Sequence, residues 1–329
     1  MQLAVLEICA GGGGQAIGLE SAGFELAAAV EIDSDACNTL RQNRARWKVI
    51  QDSVAEIDGA DFRGVELFAG GVPCPPFSIA GKQLGHQDER DLFPEALRLI
   101  GEARPRAILL ENVPGFASEK FAEYRRKLAR QLDGMGYAIQ WRVLNASWFG
   151  VPQLRSRFVL VGFQGYFPDS FQWPEPNGAV PPSVGDALID LMSSRGWKGA
   201  EKWRQKARGI APTLVGGSKK HGGPDLGPTR ARKQWAVLGV DGLGIADEPP
   251  GPEHPSHHVP RLTVRMAARI QGFPDSWSFS GGKTAAYRQV GNALPPNVAQ
   301  AVGDAIGSVF LSKSGKARRV QVPLFDMVR

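Results

Sequence analysis

The run Leu3-Ala4-Val5-Leu6-Glu7-Ile8-Cys9-Ala10-Gly11-Gly12-Gly13-Gly14 sets the fold class of this 329-residue chain. Leu3 to Ile8 reads as a strand, Ala10 to Gly14 as a tight turn, and Gln15 to Ser21 as a helix closed by Gly23. Glycines let the backbone approach a ligand closely, and the following helix N-terminus attracts negative charge, so the unit suits a nucleotide-like ligand. The turn lacks the G-x-G-x-x-G spacing of dinucleotide binders. The alternation continues. Leu26 to Ile32 reads as a strand ending in Glu31, Ser34 as the N-cap of a helix through Asn43, and Trp47 to Ile50 as a short strand before Asp52. Val65 to Ala69 is a fourth strand, Pro94 to Ala103 a helix, and Ala107 to Leu110 a fifth strand running into Glu111-Asn112. A helix over Ser118 to Leu132 and strands over Tyr137 to Leu144 and Phe158 to Phe163 complete the series. Strands and helices in alternation predict a doubly wound α/β sheet, with Glu31, Asp52 and Glu111 at its ligand-binding edge.

Cys74 stands out in Gly70-Gly71-Val72-Pro73-Cys74-Pro75-Pro76-Phe77-Ser78. Prolines fix φ, so this thiol is held on a stiff loop just past a strand, which suits a nucleophile. A buried structural thiol is the alternative, and reactivity depends on a lowered pKa. Cys9, Cys37 and Cys74 are odd in number, widely spaced and form no C-x-x-C pair. That pattern argues against disulfides or a zinc site and for a reducing cytoplasm. His254, His257 and His258 cluster, but Pro255 interrupts any helical ligand spacing, so no metal is expected. No apolar run reaches the roughly 20 residues of a membrane span, and no signal peptide is expected.

The net charge of +6 is unevenly spread. Arg195 to Lys233 holds eleven Lys/Arg against Glu201 and Asp225, whereas Gln234 to Pro260 holds four acids and no Lys or Arg. A concentrated basic stretch fits a polyanion-binding face, and Trp197, Trp203 and Trp235 among the charges favour a contact surface. After Gly165 the chain becomes rich in Gly and Pro with weak periodicity, which predicts a second, smaller, loop-rich domain. Short helices are expected over Arg265 to Ile270 and Asn297 to Phe310, and fraying over Lys313 to Arg319.

Taken together, Cys74, the glycine turn, Glu31 and Glu111-Asn112-Val113 resemble the cytosine-5 DNA methyltransferase family. The resemblance covers nearly the whole chain outside residues 170–260. Leu6 to Gly14 resembles the first cofactor motif, Gly71-Val72-Pro73-Cys74 the nucleophile loop, and Glu111-Asn112-Val113 the catalytic glutamate segment. Gln153-Leu154-Arg155-Ser156-Arg157 matches the Q-x-R-x-R motif. Arg261 to Trp277, with Gln271-Gly272-Phe273-Pro274-Asp275, resembles the segment after the specificity region, and Tyr287-Arg288-Gln289-Val290-Gly291-Asn292 the last motif. The chain departs at Cys9, where many members carry Phe, and at Pro75, where many carry Gln; Ile32 could supply the missing apolar contact to adenine.

The resemblance implies a Rossmann-like methyltransferase sheet with a target-recognition domain: residues 1–165 for catalysis and cofactor, 166–280 for recognition, and 281–329 returning to the catalytic domain. It implies S-adenosylmethionine as cofactor, with S-adenosylhomocysteine as product. Its contacts would be Cys9, Ala10, Gly11, Gly13, Gly14, Glu31, Ile32, Asp52, Ser53, Pro73, Leu92, Asn292 and Ala293. Cys74 would be the nucleophile, Glu111 would act at ring nitrogen 3, and Arg157 with Arg155 would bind the carbonyl at position 2. Asn112 would support the loop carrying Cys74. Duplex DNA would meet Ser78, Gln153, Thr213, Leu214, Lys219, Lys220, Arg230 and Arg232, with Lys233 beside them, and the loop from Phe77 to Arg90 would close over an extruded base. The compact length resembles a bacterial type II modification enzyme: cytoplasmic and nucleoid-associated, monomeric, paired with a separate restriction endonuclease. The open alternatives are a transfer-RNA methyltransferase, an inactive nucleic-acid-binding protein and a nucleotide-dependent oxidoreductase.

Overall fold

The computed structural model describes residues 3–73, 91–176, 178, 180–217 and 225–312. Its centre is β1 (Leu3–Ile8), flanked by β2 (Phe24–Glu31) and β4 (Leu67–Gly71), with β3 (Val49–Gln51) outside β2. Beyond β4 lie β5 (Ala107–Asn112), then β8 (Ser156–Gln164), then β6 (Tyr137–Asn145). The order β3-β2-β1-β4-β5-β8-β6 is parallel through β5; β8 runs antiparallel between β5 and β6. The chain steps outward from β1 to β3, then returns to start β4 on the other side of β1. That reversal opens a crevice at the carboxyl ends of β1 and β4, where open α/β sheets bind their ligands. Central parallel strands are covered on both faces and therefore read as apolar runs, as β1, β4 and β5 do.

The helices α1 (Gly14–Ser21), α2 (Ser34–Asn43), α3 (Phe93–Ala103) and α4 (Ala122–Gly134) follow the predicted order. Several boundaries differ for local reasons. Asp33, not Ser34, caps α2, because its carboxylate accepts from the Asp35 and Ala36 N–H groups. β5 runs two residues past Leu110, held by β8, so Glu111 and Asn112 sit within a strand. A separate 3-10 turn, Glu119–Phe121, precedes α4.

The second half is more regular than its composition suggests. It contains α5 (Val184–Ser193), α6 (Ala200–Lys206) and α7 (Thr229–Val237). A short parallel ribbon joins β7 (Gln153–Leu154) to β9 (Ala211–Pro212). Ser183 accepts from the Asp186 N–H and donates to its carboxylate, a reciprocal cap that starts α5. Trp197, Trp203 and Trp235 are buried, and the first two indoles donate to the Pro255 and Gly239 carbonyls at 3.0 Å. The tryptophans are core, not the contact surface expected from their charged neighbours. One apolar cluster runs from Leu3 and Val5 through Phe163 and Phe171 to these tryptophans, so this region shares a core with the sheet.

After α8 (Val264–Ile270), the chain returns through α9 (Lys283–Asn292) and α10 (Pro296–Leu311). Helix α10 packs against α1 at very short range. A Cβ on Gly18 would stand 2.3 Å from the Pro296 carbonyl oxygen, and one on Gly303 would stand 2.8 Å from Ala22 Cβ. The Trp277 indole donates to the Gly12 carbonyl at 3.0 Å, fixing the return segment onto the glycine turn. Gly18→Ala should therefore destabilise the protein by about 1–3 kcal/mol in chemical denaturation, through backbone overpacking. Gly115→Ala, whose Cβ meets nothing within 4 Å, should change stability by less than about 0.5 kcal/mol.

Candidate active site

A cavity of about 460 Å³ lies at the carboxyl ends of β1, β2 and β4. Twelve of the thirteen expected cofactor residues line it: Cys9, Ala10, Gly11, Gly14, Glu31, Ile32, Asp52, Ser53, Pro73, Leu92, Asn292 and Ala293. The Glu31 carboxylate is fixed by two backbone donors, Gly11 N–H and Asp33 N–H, each at 2.8 Å. Each oxygen keeps a lone pair for a ligand hydroxyl. Ile32 is 70% exposed, an apolar surface at the pocket rim. Arg288, Gln289 and Asn292 of α9 close the cavity from the other side, and Arg288 lies 3.6 Å from Asp33 across it. Gly13 does not line the cavity. It sits at φ +87°, where a Cβ would strike Leu40 and Trp277, so its glycine serves packing.

At the inner end of the cavity stands Glu111. Its carboxylate accepts from Arg157 Nε at 2.8 Å, both side chains being about nine-tenths buried. Gly71 is its register partner on β4, and a Cβ there would lie 3.1 Å from Glu111 Oε2. Glycine at that position leaves room for the carboxylate. Burial raises the Glu111 pKa above its ordinary value, while Arg157 and Arg155 pull the other way. Asn112 Nδ2 donates to the Val72 carbonyl at 2.8 Å, and its Oδ1 accepts from the Val113 N–H. Asn112 thus pins the chain two residues before Cys74. Cys74 and Ser78, with the loop through Arg90, lie outside the described residues, as do Lys219 and Lys220.

This geometry coincides with what comparison finds. The family model of C-5 cytosine-specific DNA methylases matches residues 3–308. The chain belongs to the C-5 cytosine-specific DNA methylase family. It is 55% identical over 320 residues to the type II methyltransferase M.NaeI of Lentzea aerocolonigenes, covering 96% of this chain and 77% of that one. Against M.NgoMIV of Neisseria gonorrhoeae, identity is 52% over 305 residues, covering 92% and 96%. Among solved structures, a putative DNA modification methyltransferase encoded within an Escherichia coli prophage superposes with a TM-score of 0.67 at 26% identity. That match covers 94% of this chain and all of the other. Dnmt2 of S. pombe shares the fold, with a TM-score of 0.65 at 20% identity, covering 94% and 99%. The protein is a DNA (cytosine-5) methyltransferase, and S-adenosylmethionine is its methyl donor.

Within this methylase, six expected site residues are engaged by the protein's own groups. Arg155 is fully buried, and its guanidinium donates to the carbonyls of Leu214, Gly291 and Ala293 at 2.7–2.9 Å. With both Nη atoms occupied, it ties segments together and does not reach a substrate carbonyl. Gln153 is equally buried. Its amide donates to the Ile270 carbonyl and Gln271 Oε1, and its Oε1 accepts from the Leu214 N–H. Gln153 and the buried Leu214 therefore present no side chain to DNA. Arg232 folds back onto Thr229 Oγ1 and the Gly242 backbone, whereas Arg230 is exposed. Thr213 is half-buried and donates to the Leu154 carbonyl at 2.7 Å. Asn292 is the last residue of α9, with Nδ2 donating to the Gly217 carbonyl at 3.2 Å.

Five polar residues of the cavity wall were not named as site residues from sequence: Glu7, Gln15, Asp33, Arg288 and Gln289. Glu7 is buried, its Oε2 has no hydrogen-bond partner, and burial with the nearby Glu31 charge pushes its pKa to about 8. The available signal was an acid inside a parallel strand, where both faces are covered. Burial pushes the Cys9 and Cys37 thiols up to about 12 and about 11, so neither is a thiolate at neutral pH. Between the ordinary carboxylate value of 4.5 and about 8, native Glu7 holds a proton that the unfolded chain has released. Stability contributed by protonated Glu7 is full below pH 4.5 and is lost as pH rises towards 8, at about 1.4 kcal/mol per unit. Denaturation at pH 5.5 and 7.5 should show Glu7→Gln lacking this slope.

Proposed function

We propose that this methylase modifies cytosine within a specific duplex DNA sequence by covalent catalysis from Cys74. The observation that carries the reading is the buried Glu111–Arg157 pair, which opens on the cofactor cavity beside Gly71, three residues before Cys74. Carbon 5 of cytosine is a poor nucleophile. Addition of the Cys74 thiolate at carbon 6 makes an enamine-like ring whose carbon 5 can accept a methyl group. Glu111, its pKa raised by burial, holds a proton at ring nitrogen 3 and draws electrons as the thiolate adds. Arg157 keeps Nη donors beyond its Nε contact to Glu111, and these stabilise charge on the position-2 carbonyl oxygen. Asn112 fixes Val72 and so steadies the start of the nucleophile loop. The bound cofactor supplies an electrophilic methyl group. Loss of the carbon-5 proton and elimination of the thiol then regenerate Cys74.

The reacting atoms lie within the base stack, so the base is extruded into the pocket. Residues 166–280 act as the target-recognition unit, residues 1–165 as the catalytic unit, and 281–329 as the return to it. The exposed Arg230 and Lys233 are available to phosphate or guanine. Similarity to type II methyltransferases supports a role in protecting host DNA; a separate endonuclease and a monomer acting in the nucleoid region of the cytoplasm belong to the same proposal. Among the described residues no helix is long and apolar enough to cross a membrane.

Bisulfite sequencing of DNA from expressing cells should show protected cytosines in one sequence context. Cys74→Ala should fall to background, and Glu111→Gln should lose about 10²–10⁴-fold in kcat. Methylated transfer RNA with unmodified DNA, or near wild-type activity in Cys74→Ala, would contradict the reading.

A further inference from the structure

The charges of the second half fall into two sets, one paired and one free. The acids are spent on the protein's own cations: Glu248 holds Arg195, Asp186 holds Arg204, Asp241 holds Arg261 and Asp247 holds Lys283. Glu201, the acid on α6, lies 3.7 Å from Arg204. Left over are Lys198, Lys202, Lys206, Arg230 and Lys233, all exposed and without an ion-pair partner among the described residues. Lysines scattered singly over a surface are merely solvated. These five lie on two adjoining elements.

Lys202 and Lys206 stand one turn apart on α6, whose buried Trp203 donates to the Gly239 carbonyl. A Cβ on Gly239, two residues past the end of α7, would lie 3.1 Å from Lys206 Cδ. On α7 itself, Arg230, Lys233 and Val237 follow the i, i+3, i+7 spacing of one exposed face, with the buried Trp235 opposite. The start of α7 is tied to the cofactor cavity. A Cβ on Gly227 would lie 3.2 Å from Val215 Cγ2 and 3.4 Å from Ala231 Cβ, and the next glycines of that segment abut Asn292 of the cavity wall. Helix α7 therefore runs outward from the cavity mouth towards Lys206, over about 14 Å for its nine residues.

We propose that this face, from α7 to α6, binds the phosphate backbone of duplex DNA flanking the recognised sequence. The inference rests on reading residues 166–280 as the recognition unit, and it gives that unit a second contact that reads no bases. Cations on successive turns with no free acid among them repel one another, and a polyanion relieves that repulsion. Lysine ammonium groups on flexible stems meet phosphates as point charges and carry no sequence information. A duplex rises about 3.4 Å per base pair, so a face about 14 Å long places Lys206 and Lys202 about four base pairs or more from the extruded base. That distance lies beyond a short recognition sequence.

Salt dependence counts such contacts, because each neutralised phosphate releases counterions and adds about 0.9 to the slope of log K against log salt. Fluorescence anisotropy would use a long duplex carrying, at its centre, the sequence mapped by bisulfite sequencing, and the same duplex with that sequence scrambled. The double variant Lys202→Gln, Lys206→Gln should lower the slope by about 1.8 and weaken binding about 60-fold at about 0.1 M salt, equally on both duplexes. Arg63→Gln removes an exposed cation just ahead of β4, at the opposite edge of the sheet, and should leave the slope unchanged. Trimming the duplex to the target sequence alone should weaken the wild type and cost the double variant nothing further. An unchanged slope in the double variant, an equal drop in Arg63→Gln, or a loss confined to the target duplex overturns the proposal, as does a wild type indifferent to trimming. A wild type that binds both duplexes equally contradicts the recognition reading itself.

Discussion

A buried guanidinium holds the parts of this enzyme in register. Arg155 has no exposed surface and no carboxylate within ion-pair distance among the described residues; three carbonyls solvate it, from Leu214, Gly291 and Ala293. Burial pushes its pKa well down, a measure of what desolvation costs this cation. Carbonyl dipoles must offset that cost, so both segments are held where their oxygens meet the Nη atoms. One segment follows β9, and the other two carbonyls flank Asn292 at the edge of the cofactor cavity. Two residues on, at the start of β8, Arg157 meets Glu111.

The cavity holds two buried acids in different electrical surroundings. Glu111 has a guanidinium at 2.8 Å and neighbours a second one; Glu7 has only the like charge of Glu31 acting on it. Paired titratable groups with divergent environments divide acid and electrostatic roles between them. The glycines serve different ends in the same way: Gly71 makes room for a carboxylate, Gly13 for Trp277 and Leu40, and Gly18 for a neighbouring helix.

The sheet was legible because its strands are local apolar runs ended by acids, and the pocket was legible because those ends share one edge. Glu31, Asp52 and Glu111 fall there by chain order alone. Helices α5 to α7 were not legible, since glycine and proline surround them and their periodicity is weak; only Ser183-x-x-Asp186 signalled a start. The roles of Gln153 and Arg155 depend on partners 59–138 residues away. A Q-x-R-x-R motif looks equally reactive throughout, and only the fold shows that one arginine is consumed by carbonyls. The tryptophans misled for a related reason: their charged neighbours face solvent while the indoles complete the core.

The central claim is that Cys74 forms the bond that activates the base. The direct test is mass spectrometry of the enzyme after reaction with S-adenosylmethionine and duplex DNA carrying 5-fluorocytosine at the target. Fluorine cannot leave as a proton does, so the methylated adduct is trapped. The account predicts one adduct, on the peptide containing Cys74, with Cys9 and Cys37 unmodified. An adduct on either of those thiols, or none in an enzyme that methylates ordinary DNA, would contradict it.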